Sequence, residues 1–449
     1  MDRSGSNGDW VRREQALLSP GAKIPYFPLV VARGKGAVIE DVEGRRYLDF
    51  LASAASVNVG HCHPAVVRAI RDQAEKLILY TLAYMYHEPG VLLAEELAAI
   101  TPGNYPKRLF WGLSGSDAND GAIKMARMAT GRSKLISFIR SYHGSTMGAQ
   151  ALTAISPQMG RTGSLVPDVF HVPYPDIYRP PVPGMSPEEV GDYCIRFMED
   201  AFSSYLPPDD VAAVFFEPIQ GDSGLIVPPH GFVRTLRALC DRHGILLLSE
   251  EVQQGFGRTG TWFGIEQFGV EPDGVIMGKS MASGLPLSAV TARAELLENQ
   301  APPTHVFTAG GNPVCCAASL ATIRVLREEG LLRQASFLGE YAMARFRDMA
   351  ARYEVIGDVR GMGLSIGVDL VKSRETKERH HEAAAKVCYR AWEKGLLLAF
   401  FSGSVLRVQP PLVISREELD QGLAIIEESL DEFSRGLIPD SVLETVKGW

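Results

Sequence analysis

Five short polar clusters, each placed just after an apolar run, hold most of the residues in this chain whose types could do chemistry together. Ser114-Gly-Ser-Asp-Ala-Asn119 follows residues 108–111 and opens a helical stretch. Small residues there let backbone N–H groups approach an anion, and the positive end of a helix adds to the attraction. The same Ser-Gly-Ser is also an ordinary N-cap. Ser141-Tyr-His-Gly-Ser-Thr146 follows residues 134–138; an aromatic ring ahead of a glycine suits either a cover for a flat heterocycle or a plain turn. Glu217-Pro-Ile-Gln-Gly-Asp-Ser-Gly224 follows residues 211–216, and Ser249-Glu-Glu-Val-Gln-Gln-Gly-Phe-Gly-Arg-Thr-Gly260 follows residues 245–248. Gly278-Lys279-Ser280 follows residues 274–277. A lone lysine is ordinarily a solvated surface charge, but one that ends an apolar run sits where burial favours the neutral, nucleophilic amine. A phosphate cradle, a ring cover, carboxylates and an amine are together what pyridoxal phosphate requires.

Positioning such loops calls for an α/β fold. Short, continuously apolar strands alternate with amphipathic helices from about residue 63 onward, which indicates a largely parallel sheet covered on both faces. In such a sheet, ligands gather beyond the carboxyl ends of the strands, where these clusters fall. A hairpin signal precedes it, residues 36–44 leading into 47–50. At 449 residues the chain is too long for one compact core. The expected division is an N-terminal arm and joining strands (1–62), a large cofactor domain (63–320) and a smaller α+β domain (321–449).

The net charge of −8 lends no support to a nucleic-acid or anionic-membrane partner. No window holds the roughly eighteen apolar residues of a membrane span, and residues 1–15 are polar, without an apolar export segment. The six cysteines form no C-x-x-C pair, so no metal site is expected from them. Buried free thiols in a reducing compartment are the simplest reading, which makes the cytoplasm the expected location.

Residues 249–260, Gly278-Lys279 and Thr308-Ala-Gly-Gly-Asn-Pro313 resemble the signature of the class III pyridoxal-phosphate aminotransferases, with similarity from about Phe27 to the C-terminus. The resemblance implies a fold type I enzyme, with a mainly parallel seven-stranded sheet in the large domain. It implies Lys279 as the Schiff-base lysine and proton shuttle. Gly115 and Ser116 would bind the phosphate through backbone N–H groups. Tyr142 would stack on the ring with Val252 on its other face, and Gln253 would approach the phenol oxygen. Thr308 would reach the phosphate of a neighbouring subunit, implying a homodimer with shared sites; pairing of dimers into tetramers stays open. One position departs from the family: Glu250 stands where aspartate usually pairs with the pyridine nitrogen. Its stem is one methylene longer, and the adjacent Glu251 leaves open which acid is structural.

A finer resemblance is to the amino-acid racemase and 2-epimerase branch, of the isoleucine-epimerase and caprolactam-racemase types. It is carried by residues 51–60, 114–119, 173–179 and 217–222, and by the terminal Gly448-Trp449. Racemisation removes the Cα proton from one face and returns it on the other. The resemblance gives one face to Lys279 and the other to Asp222, where aminotransferases commonly carry glutamate and where a loop-capping role is the alternative. Ser223 replaces a glycine common in the branch. Arg407 matches the arginine that grips the substrate α-carboxylate, and its planar fork suits that partner, favouring a free amino acid over a lactam. Without the resemblance it would be an exposed strand residue. Ala54, Ala55, Tyr80, Tyr84 and Tyr86 suggest a roomy apolar side-chain pocket, lined partly by a second subunit. The expected activity is racemisation or 2-epimerisation of free nonpolar amino acids such as isoleucine, leucine, valine and phenylalanine. Class III amino transfer is the alternative. Intact Lys279, Tyr142 and Thr308 argue against a catalytically silent relative.

Overall fold

The computed structural model describes residues 5–24, 26–156, 159–163 and 165–448; Trp449 of the terminal motif and the first four residues of the polar N-terminus lie outside them. The chain divides into two compact units, residues 64–333 and residues 1–63 with 334–449.

In the N-terminal segment, β1 (Val31–Lys35), β2 (Val38–Asp41) and β3 (Arg46–Asp49) form an antiparallel ladder. Gly44, at φ +83°, makes the expected turn between β2 and β3. Beyond β3, Ala52, Ser53, Ala54 and Ala55 all take positive φ, from 45° to 60°. One left-handed turn of L-residues costs about 1–2 kcal/mol per residue. Asp49 holds its start: Oδ1 accepts N–H groups from Leu51 and Ala52 at 2.8 and 3.0 Å, while Oδ2 lies 2.7 Å from His61 Nε2.

Residues 64–333 carry the strands β4 (Lys107–Gly112), β5 (Lys134–Phe138), β6 (Val169–Val172), β7 (Val211–Phe216), β8 (Leu246–Glu250), β9 (Gly274–Met277) and β10 (Ser288–Arg293). They form one seven-stranded sheet in the order β4-β10-β9-β8-β7-β5-β6. β10 runs antiparallel to both neighbours and the other adjacent pairs are parallel, so the sheet is mainly parallel, as the sequence implies. Every residue of β7 and β9 is buried, because helices cover both faces and leave no polar side to alternate with. The helices Pro64–Lys76 and Glu88–Ile100 overlap the helical apolar spacing of residues 66–77 and 91–99. The helix Pro313–Glu328 packs on both. It therefore stays with this unit, whose boundary falls at 333 rather than the expected 320.

The chain then adds β11 (Ile356–Met362), β12 (Ser365–Leu370), β13 (Leu396–Leu397), β14 (Ala399–Phe401) and β15 (Val405–Val408). An antiparallel sheet β11-β12-β15-β14 forms, and β13 joins β3 in parallel, which ties the N-terminal strands into this α+β unit. The cysteines are free; Cys62, at φ +48°, is exposed, contrary to the buried-thiol reading, and the other five are buried. Among the described residues no helix is long and apolar enough to cross a membrane.

Candidate active site

At the phosphate end, the capping and anion-binding readings of residues 114–119 coexist. Ser114 caps the 16-residue helix Gly115–Thr130 in a capping box with Asp117. The Asp117 carboxylate accepts N–H groups from Leu113 and Ser114 and a hydroxyl from Ser288 on β10. Gly115 and Ser116 then occupy the first helical turn, where backbone N–H groups lack helical acceptors and suit an anion. Close approach explains the glycines. A Cβ on Gly115 would lie 2.7 Å from Val252 Cγ1, and one on Gly144 2.3 Å from Ser116 Oγ. One on Gly278 would sit 3.3 Å from the Gly115 nitrogen. Asn119 bridges two of these loops, donating to the carbonyls of Gly115 (3.0 Å) and His143 (2.8 Å).

At the ring end, three buried groups converge: Nδ1 or Nε2 of His143 and carboxylate oxygens of Glu217 and Glu250 lie within 4.8 Å of one another. Glu217 spans two loops, accepting the Tyr142 N–H on Oε1 (2.9 Å) and the Gly221 N–H on Oε2 (3.0 Å). Burial, together with the negative charges of Glu250 and Asp222, pushes its carboxyl well above the ordinary range despite those bonds. Glu250 closes β8. Its Oε1 accepts the Val252 N–H at 2.8 Å, and its Oε2 stands 3.4 Å from His143 Nδ1 without hydrogen-bond alignment. The extra methylene is thus taken up by folding the carboxylate back toward its own loop. Tyr142 is raised above the usual phenol range chiefly by burial, with the Ser145 hydroxyl acting against it and the charges of Asp222 and Glu250 adding to it.

Glu251 faces elsewhere. It accepts from Ser249 Oγ and from the N–H groups of Gly264 and Ile265. Burial outweighs these bonds and lifts it to about 8. Of the two adjacent acids, Glu251 is the one bound into the loop framework.

Asp222 lies in the segment that the Gln220–Ile226 bridge closes. It is buried, and its Oδ1 accepts from Gln253 Nε2 at 3.2 Å. Ser223 donates its hydroxyl to the Arg140 carbonyl and so pins the same segment to the end of the β5 loop. Lys279 directly follows β9 and Gly278 and takes φ +45°, a left-handed conformation costly for a non-glycine residue. Thr308 lies exposed in a turn ahead of the helix Pro313–Glu328. Gly115, Ser116, Tyr142, Asp222, Glu250, Val252, Gln253, Lys279 and Thr308 all belong to the unit of residues 64–333. Arg407 belongs to the other. It is not an exposed strand residue: all four residues of β15 are buried, and its guanidinium lies 3.3 Å from the centroid of the Phe401 ring. Tyr80, Tyr84 and Tyr86 are exposed on the single chain.

The pocket fits pyridoxal phosphate. Two buried acids face a histidine whose ring nitrogens make no hydrogen bond, and among the described residues neither acid pairs with a guanidinium or ammonium group. A protonated pyridine nitrogen is a cation suited to that setting. Residue type alone does not single out His143, Asn119 or Glu217. The available signal is their place inside clusters already marked at strand ends.

Comparison with known proteins agrees. The aminotransferase class-III family model matches residues 21–430. The leucine/methionine racemase of Thermococcus litoralis is 47% identical over 439 residues, covering 98% of this chain and 99% of that protein. The isoleucine 2-epimerase of Lentilactobacillus buchneri is 47% identical over 428 residues, covering 95% of each. An amine transaminase from an uncultivated Pseudomonas species, solved in its PLP-bound form, is similar with a TM-score of 0.85 at 31% identity, covering 96% of this chain and 98% of that one.

Proposed function

We propose, from the premise that this chain belongs to the class-III aminotransferase family and is a pyridoxal-phosphate enzyme, that it racemises or 2-epimerises free nonpolar α-amino acids. The observation that carries the reading is Asp222, a buried carboxylate whose Oδ1 accepts from Gln253 Nε2 on the same 249–260 loop as Glu250. Racemisation needs a second acid/base on the face opposite the lysine, and a fixed carboxylate supplies one. The names of the two relatives at 47% identity support the same reading.

When bound, the cofactor supplies an electron-withdrawing ring that makes the substrate Cα–H acidic. Lys279 would hold the cofactor covalently and move a proton at Nζ on one face, and Asp222 would move it at its carboxylate on the other. Gly115 and Ser116 hold the phosphate through backbone N–H groups. Tyr142 and Val252 would flank the ring, Gln253 would approach its phenol oxygen, and Glu250 would face its nitrogen. By the family resemblance, Arg407 would take the substrate α-carboxylate as a two-pronged donor. Thr308 is assigned to the phosphate of a neighbouring copy, which makes the working form a homodimer with shared sites. The buried thiols suit a reducing, cytoplasmic setting.

The test is incubation of the holoenzyme with L-isoleucine, L-leucine, L-valine or L-phenylalanine in deuterated water, without a keto acid. Chiral chromatography and mass spectrometry are read together. The expected result is catalytic formation of the 2-epimer or D-enantiomer with deuterium at Cα. Inertness under these conditions, with amino transfer starting once pyruvate or 2-oxoglutarate is added, would replace racemisation by transamination.

A further inference from the structure

Glu250 has one more rotatable bond than the aspartate its family usually places there. A side chain with that freedom aims its charge only if its surroundings restrict it. Six contacts or approaches define those surroundings. Glu250 Oε1 is held by the Val252 N–H, and Oε2 lies 3.4 Å from His143 Nδ1. His143 is itself fixed through its backbone, by Thr153 Oγ1 on its N–H (2.9 Å) and by Asn119 on its carbonyl. Glu217 completes the enclosure, its oxygens fixed by the N–H groups of Tyr142 and Gly221.

We propose that Glu217 and His143 are positioning residues for Glu250: they wall in its longer side chain so that one carboxylate oxygen is presented to the cofactor's ring nitrogen at the distance an aspartate would otherwise set. The inference rests on the reading that Glu250 faces that nitrogen. Glu217 suits the task because both of its oxygens already accept backbone N–H groups, so it cannot swing away. The groups around it are Glu250, Asp222, His143 and Tyr142, with the Tyr174 hydroxyl on its backbone carbonyl. Burial among these acids favours its neutral form, which keeps it from competing with Glu250 for a cationic ring nitrogen. A purely structural Glu217 would tie the Tyr142 and Gly221 loops together whatever residue stood at position 250. A positioning Glu217 matters only while the residue there is a glutamate. The two roles therefore differ in their coupling.

The experiment is a double-mutant cycle read without substrate. The wild type, Glu217→Ala, Glu250→Asp and the double variant are stripped of cofactor and titrated with pyridoxal phosphate. The dissociation constant and the pH dependence of the bound-cofactor absorption are measured for each. Glu217→Ala is expected to weaken cofactor binding about tenfold or more in the wild-type background, but only about twofold in the Glu250→Asp background, giving a coupling of about fivefold. The pH of the absorption change should shift in the first background and hold in the second. Equal losses in both backgrounds would overturn the proposal and leave Glu217 a structural tie. The milder His143→Asn goes through the same cycle, so that the proposal is still decided if Glu217→Ala fails to fold; the same coupling is expected and the same additivity is fatal. If Glu250→Ala leaves both affinity and absorption unchanged, the assignment of Glu250 to the ring nitrogen falls, and this inference with it. Absence of racemisation in the deuterium experiment, with the coupling intact, would overturn only the choice of reaction.

Discussion

The two units each bury carboxylates, and they treat them in opposite ways. In the α+β unit, Asp369 is fully buried on β12 and answered by cations. Arg360 approaches it at 3.2 Å through both terminal nitrogens, Ser404 donates at 2.9 Å, and Arg379 lies 4.0 Å away. In the sheet unit, Glu217 and Glu250 are as deeply placed but face a histidine and each other. A buried charge without a counter-charge is costly, several kcal/mol in effective terms, and burial beside Glu250 and Asp222 accordingly favours the neutral form of Glu217. The difference separates an acid answered by guanidinium groups from an acid cluster that, among the described residues, has no guanidinium or ammonium partner.

Substitutions can break or sharpen that contrast. Lys279→Ala should abolish turnover while leaving the apoprotein folded, because the lysine's place after β9 serves the cofactor; residual α-deuterium exchange at wild-type rates would sink the central assignment. Asp222→Asn should slow racemisation by about 10³-fold while the cofactor dissociation constant stays within about threefold, since a general acid/base contributes about 10²–10⁴. In the other unit, Asp369→Asn should cost about 3–5 kcal/mol in chemical denaturation, because it strips the largely enclosed Arg360 guanidinium of a fully buried partner. A loss below about 1 kcal/mol would mean that Asp358, 2.7 Å from Arg360, suffices.

Glu251 makes a smaller test inside the sheet unit. Its folded-state value of about 8 stands above the ordinary 4.5, so the folded state holds this proton more tightly than the unfolded chain does. The resulting stability is full below pH 4.5 and is lost as the pH rises through 8. Melting temperature should therefore fall across that window. Glu251→Gln should flatten part of the slope while costing about 1–3 kcal/mol at about pH 5, because an amide group then meets a backbone donor. Smallest of all, Glu250→Gln should change apoprotein stability by less than about 1 kcal/mol, since the amide oxygen can still accept the Val252 N–H. A loss as large as that of Asp369→Asn would erase the distinction between the two clusters.

Much of the site is legible in the chain itself. Strands β7, β8 and β9 are uninterrupted apolar runs, and the polar residues that end them fall where a parallel sheet puts its ligands. Lys279 and the 249–260 loop follow from that pattern together with the family resemblance. The choice between Glu250 and Glu251 does not. Adjacent residues at a strand end point to opposite sides, and nothing in Glu-Glu says which side is the pocket. Only Gly264 and Ile265, thirteen and fourteen positions onward, claim Glu251 for the framework. Residue type alone puts Arg407 on the surface, wrongly, because period-two reasoning assumes one wet face and β15 has none.

The sequence by itself marked β4, β5, β7, β8 and β9, though neither β6 nor the antiparallel β10, and it determined a largely parallel sheet, the loops that carry chemistry and the cofactor they suit, since periodicity and residue type are local properties. Tertiary structure alone decided the left-handed turn at Ala52–Ala55, where alanine and serine have no such preference and Asp49 holds the turn's start. It also decided the convergence of His143, Glu217 and Glu250 from three separate strand ends, because the energy of a buried charge depends on neighbours that lie far apart along the chain.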